Sequence, residues 1–172
     1  MNLKHCLSIL LLAPAVALAQ GKPSDPQIAH IVVTANQIDV DAGKLAESRS
    51  QNKEVKAFAK QMVTDHTAVN QQAAALAKKL GVTPQDNDTS RNLQQGAADT
   101  AKKLKGLKGA EFDRAYVDNE VAFHQAVLDA IDKVLIPGAQ NAELKGLIGK
   151  VRPAIQAHLE HARHLQASLS KK

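Results

Sequence analysis

Three histidines stand where a helical sequence would ordinarily place leucine. In Phe58–Gln72, FAKQMVTDHTAVNQQ, His66 continues the apolar series Val55, Ala59, Met62, Val69, Ala73, Leu76 and Leu80. His124 sits in the same way among Val117, Val121, Leu128, Ile131 and Leu135, and His158 among Leu144, Ile148, Val151, Ile155, Ala162, Leu165 and Leu169. The steps alternate mostly between four and three, the period of helices packed along a seam. A lone seam imidazole is usually a core residue with a satisfied hydrogen bond. Three on separate helices become a constellation if they share one height. The helices that carry them have midpoints near residues 66, 123 and 155, and a further helix has its midpoint near 39, where Asp39 lies at the edge of the apolar stripe beside Ile38. With a rise of about 5.4 Å per turn, helices of similar length packed side by side bring these positions to one level within about a turn.

Such a cluster must be reconciled with burial. An unpartnered buried polar group costs about 1–3 kcal/mol, and neighbouring imidazoles cannot all carry protons without repulsion. Hydrogen bonding through Asp39 or Asp65, a buried water, or a metal ion would each resolve the cost. Neutral imidazoles with a carboxylate suit zinc, copper or iron. His66, His124, His158 and Asp39 are therefore the expected metal-ligating set. His161, Glu120 and Asp65, each close to a member of that set in sequence, form an outer group. In the run His158–His164, HLEHARH, members three apart turn by about 60° around the helix. His164 is expected to face solvent and His161 to lie on the flank.

Other chemistries are not supported. No glycine-rich phosphate loop follows a strand pattern, and no serine marks a nucleophile turn. Dinuclear carboxylate oxygenases need Glu-x-x-His on two helices plus two further glutamates. Here Asp65 directly precedes His66, Glu120 is four residues before His124, and His158 has no acid three residues before it. No catalytic residue or organic-cofactor motif is marked, so the sequence argues against an enzyme.

The elements that must position these residues are all helical. Aromatics are 2% of the 172 residues and Trp is absent, while apolar residues make up 44%. Ala and Leu carry the burial, which favours packed helices over sheets. The periodicity predicts long helices over residues 27–50, 52–80, 111–135 and 141–169, with a shorter one over 90–104. Pro137-Gly138 is expected to end the helix before it, and Pro153 to kink the last helix or mark its effective start. Residues 82–110 are long enough to return along the molecule. The expected fold is therefore all-α: a ferritin-like four-helix bundle with a short extra helix in the crossover between helices 2 and 3. The simple up-down bundle is the alternative.

Residues 1–19 read as a secretory signal peptide: a short start carrying Lys4, an apolar run from Cys6 to Leu18, and small residues at Ala17 and Ala19. A leader over 20–26 and a single domain over 27–170 follow. The only cysteine, Cys6, belongs to the signal, so the mature chain has no thiol for disulfides, ligation or nucleophilic attack. Loss of Lys4 lowers the formal charge from +5 to +4. Basic and acidic residues are interspersed, so no nucleic-acid partner is expected. The lysines of Ala101–Lys108, AKKLKGLK, read as a solvated helix face. After signal cleavage no transmembrane segment is expected. The expected location is the bacterial periplasm or an association with the outer membrane, where another envelope protein is the partner class to consider.

Several short motifs resemble those of domain-of-unknown-function family 4142. They are Phe58-Ala59, Met62-Val63, Asp65-His66-Thr67, Phe112-Asp113, Ala115-Tyr116, His124 and the segment from Pro153 to His158-Leu159. The resemblance covers about residues 27–169. It implies a bacterial exported protein, often described as an outer-membrane protein, with a ferritin-like fold and no established activity. The family's first helix often carries glutamates, whereas this chain has Gln37, Asp39 and Asp41.

Two functions lead at this level, with an enzyme using the histidines as acid and base a third idea for which no element of the sequence specifies an open pocket. One is a metal-binding bundle serving metal handling or stress protection. The other is a non-catalytic envelope module whose histidines form a buried hydrogen-bond network that fixes helix register. Imidazoles more than about 8 Å apart could not share one ion, because ligand nitrogens bind zinc at about 2.0–2.1 Å.

Overall fold

The computed structural model describes residues 22–171. The signal segment lies outside the described residues, as do residues 20 and 21 of the leader. Among the described residues every regular element is helical: α1 Asp25–Arg49, α2 Lys53–Leu80, α3 Asp88–Gly106, α4 Gly109–Ala130, a π-helical turn Ile131–Leu135, α5 Ile136–Gly138 and α6 Ala142–Leu169. Three of the long helices begin on asparagine. The Asn52 side-chain oxygen accepts from Glu54 N (2.9 Å) and Val55 N (3.4 Å), Asn141 does the same for Glu143 N and Leu144 N, and Asn87 accepts from Ser90 N. Each cap satisfies N–H groups that a first turn leaves free. α2 stops at Gly81, whose φ of 63° is a left-handed value that glycine adopts without strain.

α3 runs two residues further at each end than the periodicity predicts, α4 starts two residues early, and three other departures have a proline behind them. α1 starts two residues early because Pro26 occupies its first turn, where a missing N–H costs nothing. The helix expected over 111–135 is regular only to Ala130 and then widens, with the Ile136 N–H bonded to the Ile131 carbonyl. Pro137 has no N–H to return to Lys133, so regular pairing fails there; Pro137 opens α5 rather than terminating the helix before it. α6 runs unbroken through Pro153. Pro153 and Gly149, whose carbonyl loses its helical donor, are both exposed, so water can replace the missing bond.

The core has two apolar ends and a polar middle. One end gathers Ala46, Val55, Phe58, Met62, Phe112, Tyr116, Ala162 and Leu165. The other gathers Ile28, Val32, Leu128, Ile131, Leu144, Ile148 and Ile155. Along α1 and α6 the chain passes from the second end to the first, and along α2 and α4 from the first to the second. α2 and α4 therefore run the same way, and the segment carrying α3 returns the chain between them. Contacts are richest between α1 and α2 and between α4 and α6, while α3 lies against α1 and α4.

The spacing of Ile28, Ile31, Ala35, Ile38, Ala42 and Leu45 predicts one apolar stripe along α1, and the buried face is rotated from it. Ile28, Ile31, Val32, Asn36, Asp39, Val40, Gly43 and Ala46 are buried, whereas Ile38, Ala42 and Leu45 are only half-buried. The latter three line a cleft toward α3, so α1 carries two apolar faces and the sequence pattern blends them. At Gly43 α1 lies close against α2. A Cβ there would lie 2.9 Å from the Ala59 carbonyl oxygen and 2.8 Å from Val63 Cγ2.

Candidate metal centre

Between the two apolar ends, one residue from each of α2, α4 and α6 meets the others at the axis. Ring centroids are 5.6 Å apart for His66 and His124, 5.3 Å for His66 and His158, and 5.6 Å for His124 and His158. All three are at most 3% exposed. One ligand atom from each lies within 4.8 Å of the other two.

The outward nitrogen of each ring is engaged. His66 Nδ1 is 2.7 Å from Asn36 Oδ1, and the Asn36 amide nitrogen donates to the Val32 carbonyl at 2.7 Å. His124 Nδ1 is 3.0 Å from the Glu120 carbonyl oxygen, and His158 Nε2 is 2.9 Å from Asp65 Oδ2. Every partner is an acceptor, so in each neutral ring the outward nitrogen carries the proton and donates. The other nitrogen then presents a lone pair. Those three atoms, His66 Nε2, His124 Nε2 and His158 Nδ1, are buried and have no hydrogen-bond partner.

Two acids complete the layer. Asp39 is 3% exposed, with Oδ2 at 3.5 Å from His66 Nε2, and Glu120 is fully buried. Asp39, Glu120 and His124 form a second set of ligand atoms within 4.8 Å of one another, so His124 belongs to both sets. Neither Glu120 carboxyl oxygen has a hydrogen-bond partner, and neither does the Tyr116 hydroxyl one turn away.

Burial dominates the electrostatics. It holds His66 down to about 3, helped by the His124 and His158 imidazoles, and His124 down to about 4, helped by His158. His158 is lowered by burial, against the raising effect of Asp65. The rings are therefore neutral and able to ligate. Burial raises Glu120 to about 8 and lifts Asp39 well above the carboxylate range, the latter also through the neighbouring Glu120 charge. A cation placed among these groups would favour the ionised carboxylates and reverse that effect.

The sequence-derived set is thus brought together: His66, His124, His158 and Asp39 converge. Glu120, placed in the outer group, is instead part of the inner layer. Asp65 holds His158 from the rim, its side chain 42% exposed. His161 stands apart, with Nδ1 3.3 Å from Gln61 Oε1 and its ring 5.1 Å, edge-on, from Phe58. Asn36 was missed. It lies three residues before Asp39, on the inward face hidden by the blended α1 pattern, and that spacing was its only signal.

The model for the domain of unknown function DUF4142 matches residues 11–165. The chain belongs to the DUF4142 family. The match begins further toward the N-terminus than the motifs alone suggested. No curated protein matches the chain. Among solved structures, this DUF4142 chain is similar to a DUF305 protein of Streptomyces coelicolor described as secreted. The identity is 13% and the TM-score 0.70, over 85% of this chain and 93% of the other. It is also similar to CopM in its Cu(II)-bound form, at 11% identity and TM-score 0.65, over 86% and 99% of the two chains. At these identities the likeness establishes a shared helical fold. No helix among the described residues is long and apolar enough to cross a membrane.

Proposed function

We propose that this protein is an exported, ferritin-like four-helix bundle, a single domain over residues 27–170, that binds one transition-metal ion through His66, His124 and His158. Asp39 and Glu120 supply carboxylate oxygen to the same ion, and Asn36, the Glu120 carbonyl and Asp65 fix the ring tautomers. The observation that carries this reading is the set of three buried lone-pair nitrogens with no hydrogen-bond partner, each on a ring whose other nitrogen is held by an acceptor. Three acceptors facing one another cannot satisfy each other; they call for an electrophile. Holding the distal N–H of a ligating imidazole is the usual support of a metal-bound histidine.

The dimensions support the same reading. Ligands at about 2.0–2.1 Å around a tetrahedral ion are about 3.3–3.4 Å apart. The Asp39–His66 spacing of 3.5 Å is already of that size. The widest spacing within either set is at most 4.8 Å, so it must contract by at most about 1.5 Å. Imidazole and carboxylate donors without thiolate suit zinc, copper(II) or iron(II). CopM, a structural neighbour captured with Cu(II), adds weight to copper. The ferritin-like topology is supported by the common direction of α2 and α4. Export to the periplasm, with or without association with the outer membrane, is supported by the N-terminal sequence that reads as a signal peptide and by the DUF305 neighbour described as secreted. Metal handling or stress protection is the role such a buried site would serve.

Titration of the mature protein with zinc and with copper(II) against a chromophoric chelator tests this. One equivalent should bind, with a rise in thermal midpoint, and His124→Ala should abolish both effects. Absence of binding by the folded wild-type protein would refute the reading.

A further inference from the structure

Beside the histidine layer lies a narrow, largely apolar pocket of about 90 Å³ that reaches the surface at Thr89 and Ala126. Asp39, His66 and Asn36 form one of its walls, and apart from Thr89 the remainder is aliphatic, including Ile31, Val32, Ile131, Leu135, Ile148 and Ile155. Four of its sixteen lining residues are polar, and three of those four belong to the layer described above. The Asn36 amide already spends its oxygen on His66 and its nitrogen on Val32. Two lining residues, Ile131 and Leu135, come from the π-helical turn, the one place where α4 departs from regular pairing. Single π turns inside α-helices concentrate at functional sites. This one lines the same pocket as Asn36, Asp39 and His66 of the polar layer.

The cavity also has an approach. A solvent-facing cleft of about 880 Å³ runs between α1, α3 and α4, and the two spaces share Leu93 and Ala126 in their linings. Exposed lining residues such as Gln37, Gln94 and Ala122 leave the cleft accessible from outside. The half-buried Leu93 of α3 lines both spaces where they meet. A charged ion or sugar would lose its hydration in so aliphatic a space without repayment. A small uncharged molecule would not. Apolar cavities of this order remain dry and take up xenon or small hydrocarbons.

We propose that this cavity is a binding site for a small uncharged gas molecule of diatomic size, delivered past Leu93 to the open side of the histidine centre. The gas site itself rests on the cavity, and its relation to a bound metal rests on the metal reading above. Xenon serves as the probe, applied to the mature protein and followed by ¹²⁹Xe NMR and by a crystal structure under xenon pressure. One saturable xenon site is expected against Ile131, Ile155 and His66. Ala130→Leu and, independently, Ala35→Leu fill the cavity from different helices and should remove it while helicity and zinc stoichiometry are retained. In cobalt(II)-loaded protein the bound-xenon resonance should shift and broaden through the adjacent paramagnet. A folded, zinc-binding protein with no xenon at this position overturns the inference, as does xenon uptake unchanged in both filled variants. Xenon uptake without zinc or cobalt binding upholds the gas site and refutes the metal reading.

Discussion

At the scale of single residues, the site works by assigning protons. Asn36, the Glu120 carbonyl and Asp65 each accept from one ring nitrogen and so turn the opposite lone pair inward. Asp65 is the most exposed of these supports, so it can be altered with little effect on the core. Asp65→Ala should weaken zinc binding by roughly 10- to 100-fold with the fold intact, measured by chelator competition. The titration behaviour separates the histidines from the acids. His66 and His124 protonate near 3 and 4 when folded but near 6.5 when unfolded, so the unfolded chain takes up those protons first and stability falls as pH drops below about 6.5. Glu120 keeps its proton up to about 8 in the folded state but only to about 4.5 in the unfolded one, so its contribution is lost as pH rises across that interval. Asp39 acts in the same direction as Glu120. Metal-free protein should therefore be most stable in mildly acidic solution, and its thermal midpoint should decline from about pH 6.5 to 8. Glu120→Gln should flatten that decline, and saturating zinc should cancel it. The histidines were legible in the sequence because an imidazole breaks an otherwise apolar period. Asn36 was not, because an amide in a helix reads as a polar flank unless the inward face is known.

At the scale of elements, legibility followed how many neighbours a helix has. α2 packs one face inward; Val55, Ala59, Met62, His66 and Ala73 of its predicted seam are buried, joined by Phe58, while Val69, Leu76 and Leu80 are half-buried. α1 is covered by the core on one side and by α3 on another, so its two apolar faces merged and the predicted stripe was turned away from Asp39. The π turn was invisible because it changes hydrogen bonding, not residue type, and Pro137 was read as a terminator instead of as the reason for the widened turn. Gly43 lets α1 approach α2 closely enough to bring Asn36 and Asp39 against His66. Gly43→Ala would drive a methyl against the Ala59 carbonyl and Val63. It should cost about 1–3 kcal/mol in chemical denaturation, and the moved α1 should weaken zinc binding as well.

At the scale of the whole molecule, two apolar ends insulate one polar layer, and the return through α3 lets α2 and α4 run in the same direction. The long polar break after α2 made that crossover legible in the sequence, because a tight turn would not need it. An ion bound only by the folded state adds stability by mass action, about 2.7 kcal/mol when its free concentration is 100 times the dissociation constant. Thermal unfolding should therefore shift upward with added zinc or copper(II), and His66→Leu should lose the shift. The most direct measurement is X-ray absorption of the metal-loaded protein at the edge of the bound ion. It should give a shell of nitrogen and oxygen near 2.0–2.1 Å, with the outer-shell scattering of three imidazoles, reduced to two in His158→Ala. A bound ion without imidazole scattering, or with the same scattering in that variant, would contradict a centre built from these three histidines.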